Sequence, residues 1–208
     1  MNEEKAMVND KYIYFSGLTL SYKVNFMDFM NLALKRRSIR KYKPEPVPED
    51  ILKYVLGAAR IAPSWGNRQC WKYIIVTDES LRKKIVESSS PPSSPIGGRP
   101  VRSRDWIAQA PIIIVGCADP AKSGNKEGKE YYLLDMGITM EHMMLAAAEQ
   151  GLGTCWIGGG FDEIVVKEAL CIPKEIRVVA LTPLGYPDEA TEPRPRKNFE
   201  EMTSRNHW

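Results

Sequence analysis

The chain has 208 residues, which suits one compact domain with an appendage. At 43% hydrophobic and 26% charged it is too apolar for general disorder, and a net charge of only +3 does not by itself point to nucleic acid or an anionic membrane. The four cysteines, Cys70, Cys117, Cys155 and Cys171, are scattered with no C-x-x-C pair and only two histidines beside them, so neither a disulfide framework nor a metal site is expected.

Residues 1–25 lack helical periodicity and read as an arm, with a short strand at "TLSYKVN". Its acidic start lacks a cleavage pattern, and the longest uncharged run, Trp106 to Ala118, is too short to span a bilayer, so a cytoplasmic protein with reduced thiols is expected. From Phe26 the spacing of Phe26, Phe29, Met30, Ala33 and Leu34 predicts a helix to about Lys35, capped by Asn25. "VPEDILKYVLGAARIAP" predicts a second helix. Pro48 suits its first position, Pro63 closes it, and Ile51, Leu52, Val55, Ala59 and Ala62 form its buried face.

"WKYIIVTD" and "PIIIVGCAD" read as strands, the second apolar enough to be central. A helix at 79–87 lies between them, followed by "SSSPPSSPIGGRPVRSR", whose composition predicts a mobile surface loop. "EYYLLDMGITMEHMMLAAAEQ" is apolar around most of its circumference, so it belongs in the core or in a dimer interface. A turn "GLGTCWIGGG", a helix "FDEIVVKEAL", a strand "IRVVALTPLGYP" and a tail complete the chain. Several helices precede the first firm strand, which predicts an α+β fold with a mixed sheet between layers of helices. The domain reading is an arm at 1–25 and one domain with a C-terminal tail at 26–208.

Candidate chemistry is sparse. "GNKEGKE" lacks P-loop spacing, and "GLGTCW" follows a helix where a dinucleotide-binding glycine motif follows a strand. His142 reads as a satisfied helix-face residue. Four polar stretches remain. "RRSIR" combines guanidinium groups with a hydroxyl, which suits a phosphate, although a solvated basic helix end explains it equally well. "APSWGNRQCW" offers Ser64, Asn67 and Gln69 but could be plain turn chemistry. "CWIGGGFD" allows backbone to approach a flat ligand closely. "PRPRK" could add cations, or be an exposed tail.

In this order and spacing the four stretches resemble the nitroreductase family of FMN-dependent oxidoreductases, over roughly Phe26 to Lys197. The resemblance implies a nitroreductase-like three-layer α/β/α fold with a mostly antiparallel sheet, and a homodimer with FMN at the subunit interface. It implies that Arg36, Arg37, Ser38 and Arg40 hold FMN, with Arg36 and Ser38 at the phosphate and ribityl chain and Arg40 by the N1 and O2 edge, where a fixed cation favours reduction. Asn67 would face the pyrimidine edge, flanked by Ser64 and Gln69. Ile157, Gly158 and Gly159 would lie by the ring with a backbone N–H near N5, and Arg194 and Arg196 would reach the phosphate.

The chain departs from the family pattern at Cys70, where proline is common, in its run of three glycines, and in lacking an acidic residue beside the ring. The implied activity is hydride transfer from NAD(P)H through N5 to an electron-poor nitroaromatic or quinone by ping-pong turnover, with no side chain acting as acid or nucleophile. The alternatives are flavin destruction, reductive dehalogenation, or non-catalytic binding of FMN or another phosphate ligand.

Overall fold

A computed structural model of the chain describes residues 28–87 and 104–208 in full. It also gives the backbone of three short antiparallel strands, β1 (Met7–Asn9), β2 (Tyr12–Phe15) and β3 (Leu18–Leu20), paired in that order. The arm therefore carries a small sheet, and the expected strand at 19–25 overlaps β3 at residues 19–20, its remaining positions lying outside the described residues. The Asn25 cap, the helix start at Phe26 and the loop at 88–103 lie outside the described residues.

Helix α1 (Phe29–Lys35), which ends where expected, follows Asp28 and buries none of its residues, so Phe29, Met30 and Leu34 stand exposed. Helix α2 (Glu49–Arg60) buries Leu52, Val55 and Ala59; Pro48 stands at the cap, one position before its first turn. Then come β4 (Trp71–Val76), α3 (Glu79–Glu87), β5 (Ile112–Ala118) and a small hairpin of β6 (Asn125–Lys126) and β7 (Lys129–Glu130). Helix α4 (Tyr131–Glu149) leads into β8 (Gly153–Thr154). The chain ends with α5 (Glu163–Leu170), β9 (Arg177–Gly185) and a short α6 (Phe199–Met202).

The main sheet has the order β4-β5-β9-β8, with every pair antiparallel, and β5 is fully buried at its centre. A single parallel bridge from Ser38 to Thr154 on β8 makes the edge mixed. Alternation along β5 creates the layers, because successive strand residues face opposite sides. Ile113, Val115 and Cys117 share a cluster with Ile85 of α3 and Val166 of α5, whereas Ile112 and Ile114 pack with Val55 of α2 and Met143 of α4. The fold is α+β with helices on both faces, as expected.

Helix α4 is buried at Met136, Met140 and Met143, and polar links fix its position. The Thr139 hydroxyl donates to the Ala59 carbonyl at 2.6 Å and accepts from the Tyr73 hydroxyl at 2.9 Å, tying α4 to α2 and β4. Burial on nearly every side is not reached within one chain, since Leu133, Leu134 and Ile138 are 46%, 53% and 40% exposed. Among the described residues, no helix is long and apolar enough to cross a membrane.

Candidate functional site

After α1 the backbone turns extended at Arg36 and runs beside β8, with the Ile39 N–H donating to the Thr154 carbonyl at 2.9 Å. The approach needs a glycine opposite, since a Cβ on Gly153 would lie 2.7 Å from the Ile39 side chain. Ile39 is buried, and the Tyr42 hydroxyl donates to its carbonyl at 2.7 Å. "RRSIR" is thus an edge segment locked onto the sheet, not a frayed helix end.

This locking aims Arg36 and Ser38 at a cleft of about 390 Å³ whose other walls are Gly137, Glu141 and Met144 of α4 and Trp156. Arg36 Nε stands 3.4 Å from Glu141 Oε1, and burial pushes the Glu141 carboxyl above its ordinary range against the opposing pull of Arg36 and His142. Arg37 turns away: its Nη1 donates to the Arg36 carbonyl, and the side chain borders a second cleft of about 310 Å³ with Lys35, Glu189 and Thr191. Arg40 is exposed, its backbone N–H donating to the Glu189 carboxylate and its Nη1 to the Ser38 carbonyl at 3.1 Å, with the guanidinium 5.9 Å from the Trp106 ring.

The glycine turn closes one end of this region. Ile157 and Leu181 exchange two backbone hydrogen bonds of 2.9 Å, which anchors the turn to β9 and leaves Trp156 partly exposed beside the cleft. Arg104 Nη1 donates to the carbonyls of Gly159 at 2.7 Å and Gly160 at 2.6 Å. Burial pushes the adjacent Cys155 thiol above its ordinary range, opposed by Arg40, the Ser38 hydroxyl and Arg104.

Ser64, Asn67 and Gln69 occupy a strained turn. Gly66, Asn67 and Gln69 have φ of 56°, 55° and 49°, a region that side chains other than glycine, Asn and Asp rarely adopt. Ser64 Oγ accepts the Gln69 N–H at 2.9 Å, and Gln69 Nε2 donates to Asn67 Oδ1 at 3.2 Å. The turn is held from below by Asp135, 2% exposed, which accepts the Trp65 N–H at 2.8 Å, the Ser123 hydroxyl at 3.4 Å and the Cys70 thiol at 3.6 Å. Trp65 in turn stacks on Tyr131 at 5.4 Å.

The cleft gathers Arg36, Ser38 and Trp156; Ile157, Gly158 and Gly159 follow Trp156 in the chain but do not line it. Ser64, Asn67 and Gln69 do not line the Arg36 cleft. They stand over Asp135, about 9 Å along the α4 axis from Glu141. Arg194 and Arg196 are exposed, with Arg196 Nη1 donating only to the neighbouring Arg194 and Pro195 carbonyls. Sequence reasoning missed Arg104, Asp135 and Glu141. The last two could have been found, since they interrupt an otherwise apolar helix, where a buried carboxylate must have partners.

A guanidinium and a hydroxyl at one side, with Met144 and the Trp156 ring as apolar walls, fit a ligand with an anionic end and a flat aromatic body. Among the described residues no group of three or more His, Cys, Asp or Glu could hold a metal.

Residues 33–186 match the family model described as Nitroreductase family. A protein of Methanothermobacter thermautotrophicus, whose name couples NADH dehydrogenase with NAD(P)H nitroreductase, is 31% identical over 170 residues, covering 80% of this chain and 81% of its own. The Bacillus subtilis FMN reductase [NAD(P)H] is 33% identical over 178 residues, covering 77% of this chain and 66% of its own. A crystal structure of a nitroreductase family protein from Clostridium novyi NT superposes with a TM-score of 0.69 at 39% identity, over 78% of this chain and 87% of that one.

Proposed function

The chain belongs to the nitroreductase family, and from that premise we propose that it is an FMN-dependent oxidoreductase driven by NAD(P)H. The observation that carries the reading is the cleft between the locked "RRSIR" segment and α4, where Arg36 and Ser38 face Trp156 beside the three-glycine turn. When bound there, FMN would supply two-electron chemistry between NAD(P)H and an electron-poor nitroaromatic or quinone, in two half-reactions at one place.

The chain's own residues bind and orient. Arg36 offers the phosphate a charged fork and Ser38 a hydroxyl donor. Arg40, held by Ser38 and Glu189, would keep a cation by the N1 and O2 edge of the ring. Ile157, bonded to Leu181, anchors the turn so that Gly158 and Gly159 would present backbone donors, and Met144 and Trp156 would exclude water from the ring.

Asn67, Ser64 and Gln69 suit the pyrimidine edge but stand away from this cleft within one chain. A second copy, joined through the apolar flanks that α1 and α4 leave open, would bring its own loop and its Arg194 and Arg196 to the site, so we read the working unit as a homodimer. The unit is one domain at 26–208 with an arm at 1–25. Titrating FMN into the purified protein while following flavin fluorescence tests the reading: saturable quenching supports it, and its absence refutes it.

A further inference from the structure

Among the described residues one charged side chain stands on the peptide groups of the three-glycine turn, and it is none of those assigned above. Arg104 reaches the turn from 55 residues away in sequence, and a single nitrogen, Nη1, donates to the carbonyls of both Gly159 and Gly160. The fit requires glycine twice over. Gly160 has φ of +75°, and a Cβ there would lie 2.1 Å from Arg104 Nη2. Anchored by Ile157 on one side and by the Asp162 cap of α5 on the other, the turn receives its remaining fixed point from Arg104.

Resting on the FMN reading, we propose that Arg104 is a positioning residue that fixes the glycine turn and polarises its amides. A cation on a carbonyl withdraws charge through the peptide, so the N–H groups of Gly160 and Phe161, which share peptides with the two held carbonyls, become stronger donors. Stronger donors favour whichever form of the ligand is richer in electrons. On the FMN reading, which lays the three-glycine turn by the ring, the strengthened Gly160 N–H is one residue on from Gly159, and Arg104 raises the preference of the site for reduced over oxidised FMN without touching the phosphate.

The test measures the dissociation constant of oxidised FMN and the two-electron midpoint potential of the bound flavin in wild type, Arg104→Gln and Arg104→Lys. The Gln variant is expected to hold oxidised FMN nearly as well as wild type while its preference for reduced FMN falls roughly tenfold, a drop of about 30 mV. Lysine is expected to restore most of the potential, because one nitrogen serves both carbonyls. Gly160→Ala, which displaces the guanidinium without removing it, is expected to reproduce the drop and stands in should the Gln variant fail to fold. Bound flavin whose potential is insensitive to these changes, or equal in the Gln and Lys variants, overturns the proposal alone. A wild-type protein that takes up no FMN overturns the function on which it rests.

Discussion

Arg36 and Glu141 form an ion pair, Nε to Oε1 at 3.4 Å, that joins the "RRSIR" segment to the middle of α4 with side chains 22% and 46% exposed. The pair leaves most of the guanidinium fork free toward the cleft, where a phosphate would complete it. Arg36→Ala removes a charge-assisted contact that contributes about 1.5–3 kcal/mol, so FMN affinity should fall roughly tenfold to a hundredfold. A flavin-fluorescence titration measures this; an unchanged dissociation constant would place the phosphate elsewhere.

Asp135 is buried and accepts three hydrogen bonds beneath the Trp65–Gln69 turn. Asp135→Ala leaves the Trp65 N–H and the Ser123 hydroxyl without their acceptor and opens a cavity at α4. Urea unfolding should show a loss of about 2–4 kcal/mol. A loss under about 0.5 kcal/mol, the size of an ordinary surface substitution, would mean that the turn is held by the Trp65–Tyr131 stacking instead.

Much of the layered fold was legible in the sequence because local signals agreed. The helix at 79–87 and the strand at 112–118 were bounded by turn residues, and the apolar content of the latter placed it at the sheet centre. Periodicity found α1 but not its partner: it reports that an apolar face exists, not what covers it, and Phe29, Met30 and Leu34 are open within the chain. At the site, Arg36 and Ser38 were legible through the family resemblance, since the composition of their segment alone fits a solvated basic helix end equally well. Arg104 was not, because its partners lie 55 and 56 residues away, and for Asp135 the sequence signals that a carboxylate in an apolar helix needs partners but not that one of them lies 70 residues away.

Acid stability should depend on Glu163, which accepts from Arg177 Nε at 3.0 Å and the Val178 N–H at 2.9 Å and pairs with Lys167. Burial alone would raise its carboxyl, but the hydrogen bonds from Arg177, Val178 and Lys167 together bring it down to about 2. A folded-state value below the ordinary 4.5 means that the stabilisation is complete above about pH 4.5 and drains away as pH falls toward 2. Thermal unfolding of wild type and Glu163→Gln at a series of pH values should converge at the acid end; a constant gap would show that the carboxylate contributes no pH dependence.

The exposed Leu133, Leu134 and Ile138 of α4, with Phe29, Met30 and Leu34 of α1, form the apolar flanks assigned to a second copy. Placing a charge there at Leu134→Glu should convert a dimer to a monomer in sedimentation velocity and abolish flavin retention together, because burying an unpaired carboxylate costs several kcal/mol. A dimer that persists with FMN bound would show that this flank is not the interface.

The most direct test is the anaerobic absorption spectrum of the FMN-loaded protein on addition of NADH or NADPH. The flavin band should bleach with one of the two and return on addition of a nitroaromatic or quinone. A bound flavin that stays oxidised with both nucleotides would contradict an NAD(P)H-driven oxidoreductase and leave the chain a binder of FMN.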